Sequence, residues 1–240
     1  MPEIGLDLGR YLSAIAGCRY AIVKLPAHFP AIHVGEDLDI VAVDKETVVR
    51  KLLTAAQQDL ESGFRARVTY GPARAYIHAD ILDPDEVHLR FDVASALPSF
   101  GSYRVRDAYA ERILEAADRK DVVIGGATVP IWVAGELDEL VVRYLEYYEL
   151  FSSRPDKVKH LDYILQSVEA APERKRFFER LHANIVLPAD EIPTPAAARR
   201  LPDLRTRTRT RVQTRRRVIL ERLLGVEATE RLRRFVRRTG

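Results

Sequence analysis

Asp37 and Asp39 stand two residues apart in GEDLDIVAVD, residues 35–44, where the apolar run Leu38, Ile40, Val41, Ala42, Val43 begins. An ionised carboxylate in apolar surroundings is costly unless a positive charge is near. In a strand, side chains at i and i+2 share a face, so both acids point one way and Leu38 and Ile40 the other. Two carboxylates on one face can reach one hard cation. Mg²⁺ (or Mn²⁺) is typically held by one or two carboxylates together with phosphate oxygens. A third carboxylate on a neighbouring strand would complete a two-ion clamp, one ion activating a hydroxyl and the other holding a triphosphate. Asp92 in VHLRFDVAS is the candidate, because Val87, Leu89, Phe91 and Val93 alternate there with His88, Arg90 and Asp92. The competing explanation for the pair is a turn that opens a strand.

The elements that must position these acids can be read from periodicity. Residues 6–17 read as a helix ended by Gly17, and 18–26 as a short strand closed by Pro26. A loop carrying His28, His33 and Glu36 leads to 37–43, whose continuous apolar character predicts a strand covered on both faces. Residues 45–63 predict one amphipathic helix with Val48, Leu52, Leu53, Ala56 and Leu60 on its stripe, Asp44 as N-cap and Gly63 as C-cap. Strands follow at 65–70, 73–82 and 85–95, the last two joined by a turn at Asp83-Pro84-Asp85. The order helix, strand, strand, helix, strands predicts an α+β fold, a mixed sheet with helices packed on it. Helices are expected at 106–120, 135–151, 154–168 and 171–186, with a short extended piece at 122–133. Pro172 suits the first turn of the last helix. Tyr144, Tyr147, Tyr148 and Phe151 have the spacing of a helix-packing stripe, and Cys18 reads as a core residue.

Strand, loop, strand with a D-x-D pair, helix, then a later strand with a single Asp resembles the nucleotidyltransferase superfamily, the polymerase-β-like fold. YAIVKLP, GEDLDIVAV and LRFDVAS resemble the branch of bacterial proteins often found near surface-polysaccharide genes, over about residues 10–150. The resemblance implies that Asp37, Asp39 and Asp92 are the catalytic and metal-ligating carboxylates. It also implies that an NTP donates its NMP, with loss of pyrophosphate, to a sugar, metabolite, protein or RNA acceptor. Where the family carries Gly-Ser or Gly-Gly to cradle the triphosphate through backbone N–H groups, this chain has Val23-Lys24. Lys24 is therefore expected to meet phosphate as a point charge, with Arg90 on the cleft floor. Lys157 and Lys159 on a helix opened by Pro155-Asp156 are further cations for the nucleotide. The second reading is a non-catalytic nucleotide- or partner-binding module on a degenerate fold of this kind.

Composition bounds the remainder. No apolar run reaches the roughly 20 residues that span a bilayer, and a single cysteine excludes an internal disulfide and a cysteine zinc cluster. A cytoplasmic protein is expected, with peripheral membrane contact as the alternative. Residues 205–240 hold 13 Arg, no Lys and three Glu, a net of +10, which leaves −7 on the rest of a chain of net charge +3. The predicted organisation is a core over 1–130, a helical subdomain over 131–186, a proline-rich linker over 187–204 and a basic tail over 205–240. RTRTRTR leading into Val218, Ile219, Leu220, Leu223 and Leu224 suits three roles: lying on an anionic membrane surface, neutralising nucleic-acid phosphates, or forming a homo-oligomer.

Overall fold

The computed structural model describes residues 5–26, 28–98, 103–150 and 158–186. Two compact units divide the chain, one of residues 1–97 and 106–143, the other of 98–105 and 144–240.

The first unit is a sheet with helices against it, as the alternation of periods predicts. Its elements are α1 (Leu8–Ile15), β1 (Tyr20–Lys24), β2 (Glu36–Ala42), α2 (Lys45–Ala55), α3 (Gln57–Glu61), β3 (Arg65–Tyr70), β4 (Tyr76–Asp83) and β5 (Glu86–Ala94). After β6 (Arg104–Val105), which belongs to the second unit, come α4 (Tyr109–Glu115), β7 (Asp118–Ile124), β8 (Ala127–Val133) and the start of α5 (Glu136–Leu150). Among the described residues seven strands form one sheet in the order β3-β4-β5-β2-β1-β8-β7. The pairs β2–β5 and β1–β8 are parallel and the others antiparallel, so the expected mixed α+β sheet is present.

One sheet face is apolar because alternate strand residues are. Leu38 and Ile40 of β2, Leu89, Phe91 and Val93 of β5, and Ile77 and Ala79 of β4 join Tyr11, Leu12 and Ile15 of α1 and Val48 and Leu52 of α2 in one buried cluster. Each such side chain removed from water contributes on the order of 1.5–3 kcal/mol. The Tyr11 ring lies 5.4 Å from that of Phe91, and its hydroxyl, like the Arg10 guanidinium, is bonded to Asp59 of α3. Ala21, Val23 and Val41 point away from this cluster and are buried as well, where α4 packs on β1 and β2 with Tyr109, Ala110 and Ile113 buried. Strand β2 is thus covered on both sides from Ile40 to Ala42, while Val43 beyond it is exposed.

Several expectations are corrected. The helix predicted over 45–63 breaks at Ala56 into α2 and α3, leaving Leu60 exposed, although Gly63 does take a left-handed φ of 105°. Helix 106–120 stops at Glu115, and 118–133 forms a full hairpin of two seven-residue strands rather than a short extended piece. Val122, Val123 and Ile124 are β-branched, and Gly125 and Gly126, at φ of 58° and 82°, make the two-residue turn that strand pairing needs. Tertiary pairing there outweighs the helical propensity of 116–120. Strand β4 starts at Tyr76, because 72–74 form a 3₁₀ turn with Ala73 and Arg74 left-handed. The turn at Pro84-Asp85 is as expected, with Asp83 opposite Glu86, and Asp44 caps α2 by accepting the Thr47 N–H.

The second unit contains the rest of α5, α6 (Val158–Ser167), α7 (Ala171–Asn184), and β6 paired with β9 (Ile185–Val186). Pro172 lies in the first turn of α7, whereas Ile185 and Val186, expected to be helical, form that short strand. Tyr144 packs against Tyr147, Tyr148 and Phe177, so the tyrosine stripe is a packing surface as its spacing indicates. Burial of its ring pushes the Tyr144 hydroxyl up. Lys157, Phe151 and residues 187–240, including the basic tail, lie outside the described residues. No described helix is long and apolar enough to cross a membrane.

Candidate active site on the polar sheet face

Residues facing away from the apolar cluster on β2, β5, β4 and β3 form two rows across the sheet. In the first, Lys24 of β1, Asp39 of β2, Asp92 of β5, His78 of β4 and Thr69 of β3 are successive cross-strand partners. In the second, Asp37, Arg90, Asp80 and Arg67 follow one another on β2, β5, β4 and β3. All three predicted carboxylates therefore share one face of adjacent strands.

Charges alternate in the second row. The Arg90 Nε–H donates to Asp80 Oδ1 at 2.7 Å and its Nη2–H to Oδ2 at 3.2 Å, while Arg67 donates to Oδ2 from Nη2 at 2.7 Å and Nε at 3.1 Å. Asp80 is only 1% exposed. Burial pushes its carboxyl up, but the hydrogen bonds and charges of Arg90 and Arg67 outweigh this and hold it below its ordinary value.

The first row is less well balanced. Lys24 Nζ pairs with Asp39 Oδ2 at 2.7 Å, and the His78 Nε2 lies 3.2 Å from Asp92 Oδ2. Between these pairs Asp39 and Asp92 face each other directly, on strands that stand about 4.8 Å apart. Burial, and then the Asp39 charge, push the Asp92 carboxyl from 3.8 up to about 6, against the opposing pull of His78. Like charges meet here across the sheet, and the Asp37 charge adds to the same effect.

Lys24 reaches Asp39 through an irregularity. Ile22 pairs with Ile40, yet Lys24 pairs with Asp39, so β1 carries an extra residue at Val23. Strict alternation would put Lys24 on the core side with Ile22. The bulge turns it to the acids, a common use of bulges beside functional sites.

A strained hairpin end buttresses the row. Tyr76 stacks on His78 with ring centroids 4.7 Å apart and 25° between planes. A Cβ at Gly71 would lie 2.5 Å from the Tyr76 ring, so only glycine admits this packing. Gly71→Ala is expected to displace Tyr76, lower stability by about 1–3 kcal/mol and loosen the His78–Asp92 contact. Denaturant unfolding together with the ¹H–¹⁵N shift of His78 checks this; an unchanged His78 signal would break the proposed chain of contacts.

The remaining predicted residues divide by unit. Arg90 is on the acid face but its Nε and Nη2 are engaged by Asp80. His88 sets its ring against Phe64, and Glu36 accepts the His33 N–H, closing the loop before β2. His28 and His33 pack ring to ring in that loop, and Cys18 packs against the core. Lys159 is on α6 in the second unit, and His160 is buried there, 3.3 Å from Glu146. The residues passed over from sequence are Tyr76, His78, Asp80 and Arg67. Their signal is in the sequence, since R-A-R-V-T and Y-I-H-A-D-I alternate polar and apolar in the same way as the Asp92 strand.

Among the described residues no three His, Cys, Asp or Glu side chains are drawn together as a ligand set; Lys24 and His78 hold oxygens of Asp39 and Asp92. The donor chemistry still fits a hard divalent cation, because three carboxylates on two adjacent strands include a like-charge contact that a positive ion would neutralise. A groove of about 630 Å³ lined by Val49, Leu53, Leu60, Val68 and Tyr70 lies instead on the helix side, between α2, α3 and β3. It carries none of the acids.

No family model matches the chain, and no curated protein matches it either. Among solved structures, an antigenic nucleotidyltransferase-like protein from Paracoccidioides brasiliensis is similar over 74% of this chain and 86% of that one, with 17% sequence identity and a TM-score of 0.35.

Proposed function

We propose that the chain is a divalent-cation-dependent nucleotidyltransferase that moves an NMP from an NTP to an acceptor hydroxyl or phosphate. The observation that supports this reading is the direct opposition of Asp39 and Asp92, with Asp37 on the same face. Such a contact costs energy that a bound cation would relieve. Asp37, Asp39 and Asp92 would hold Mg²⁺ or Mn²⁺, which when bound would neutralise the triphosphate and lower the pKa of the attacking hydroxyl.

The chain's own groups carry the other tasks. As a carboxylate beside that ion, Asp92 would accept the acceptor's proton. The acceptor oxygen forms the new bond to the α-phosphorus, the α–β anhydride bond breaks, and its electron pair leaves with pyrophosphate. Lys24 would exchange Asp39 for a phosphate oxygen when nucleotide arrives, supplying charge where the family uses backbone N–H groups. The resemblance of YAIVKLP and LRFDVAS to the bacterial branch near surface-polysaccharide genes makes a sugar the first acceptor to try.

The short Lys24–Asp39 pair favours a second reading, a binding module in which a resident ammonium replaces the metal. A thermal-shift panel of NTPs with Mg²⁺ or Mn²⁺ tests binding, since a ligand at 100 times its Kd stabilises by about 2.7 kcal/mol. Pyrophosphate release then separates the two. Nucleotide-dependent stabilisation with no release across sugar, protein and RNA acceptors would favour the module, and no metal-dependent stabilisation would sink the transferase.

A further inference from the structure

The second row contains a competitor for the metal site. Arg90 stands between two carboxylates, its cross-strand partners being Asp37 on β2 and Asp80 on β4. Adjacent strands are about equally spaced, so the guanidinium has both within reach. It takes Asp80, through Nε at 2.7 Å and Nη2 at 3.2 Å, and Asp37 is exposed and makes no ion pair among the described residues. Arg90 nevertheless feels the charge of Asp37, which adds to that of Asp80 in raising its pKa.

We infer that Asp80 is a positioning residue that holds Arg90 off Asp37 and so keeps the Asp37 carboxylate available to a divalent cation. The inference rests on the metal-site reading above. A buried ionised carboxylate requires close cationic partners, and Asp80 has Arg90 on one side and Arg67 on the other. The geometry is two-pronged, which an arginine fork satisfies better than a single contact does. Lys24 illustrates the alternative, a cation that lies on Asp39 itself. Without the Asp80 charge, Asp37 is the cross-strand acid left to Arg90, and its charge acts on the guanidinium more strongly than that of Asp92. A guanidinium there would occupy oxygens that a cation needs.

The test is Mn²⁺ binding by the full chain, followed by electron paramagnetic resonance and calorimetry. Asp80→Asn is expected to weaken binding by about tenfold or more, in the range seen when groups behind metal ligands are changed. Asp80→Asn combined with Arg90→Gln is expected to restore binding to near wild type, because the competitor has gone. A merely structural role for Asp80 predicts no such rescue. Arg90→Gln alone, which keeps the Asp80–Arg67 pair, should bind Mn²⁺ at least as tightly as wild type, and this variant decides the matter if Asp80→Asn does not fold. Wild-type affinity in Asp80→Asn, a double variant as weak as the single one, or weaker binding by Arg90→Gln would each overturn the inference while leaving the metal site standing. Absence of Mn²⁺ binding by wild type overturns both.

Discussion

Asp39→Asn is expected to abolish metal-dependent nucleotide turnover, by about 10³-fold or more, while leaving the protein folded. A metal ion held by Asp39 would stabilise developing phosphate charge by several kcal/mol, and each 1.36 kcal/mol is tenfold in rate. Two opposing effects keep the fold intact. The variant leaves Lys24, only 12% exposed, without the charge it faces at 2.7 Å, but it also removes the anion opposite Asp92. The Asp92 carboxyl should therefore fall from about 6 toward its ordinary value, because one of the charges that raise it has gone. Pyrophosphate release measures the first effect and a ¹³C-detected titration of the Asp92 carboxyl the second. Turnover within tenfold of wild type would remove Asp39 from the metal site. An Asp92 titration that does not move would mean that the Asp39 charge does not set it.

Asp92→Asn should change stability and metal affinity in opposite directions. In the folded state the Asp92 carboxyl lies above its ordinary 3.8, at about 6, so the folded chain holds this proton more tightly than the unfolded one. The stability linked to that proton is fully present below pH 4 and is lost as pH rises through 6. By pH 7 the ionised group opposes folding. A shift of this size would be worth on the order of 3 kcal/mol for a fully buried group. With the side chain 32% exposed, about 1–2 kcal/mol is the better expectation, since solvent screens exposed charges. The metal-free variant should then melt a few degrees above wild type at pH 7, taking about 2–4 °C per kcal/mol for a chain of this size. That advantage should fade between pH 6 and pH 4. Saturating Mn²⁺ should reverse the order, stabilising wild type and not the variant. Because the ligand must be deprotonated, wild-type affinity for Mn²⁺ should fall about tenfold per pH unit below 6. Melting curves at five pH values with and without Mn²⁺ settle it, and a variant less stable than wild type at pH 7 in chelator would count decisively against the like-charge contact.

Both expectations start from features that are visible in one dimension. The period of two in D-L-D-I and in H-L-R-F-D places Asp37 with Asp39, and Arg90 with Asp92, on polar faces whose opposite sides must be buried, and Leu38, Ile40, Leu89, Phe91 and Val93 are buried. The same alternation in Y-I-H-A-D-I was equally available but lacked a paired-acid spacing to draw attention to it. Residues 116–120 misled because local helical propensity there competes with a hairpin partner that only the folded chain supplies.

By itself, then, the sequence determined which side chains share a face, because strand geometry admits only two directions. It also determined that an α+β sheet would carry them, because apolar periods switch between two and 3.6. Tertiary structure alone decided which residues on different strands meet. Asp39 and Asp92 are far apart in the chain, and the register of two parallel strands joined by a long crossover is set by core packing between them, not by any local signal. The bulge at Val23, which turns Lys24 from the core side to the acids, is likewise invisible to alternation. So is the choice of Arg90 between Asp37 and Asp80, which depends on Asp80 being buried and on Arg67 arriving from the edge strand.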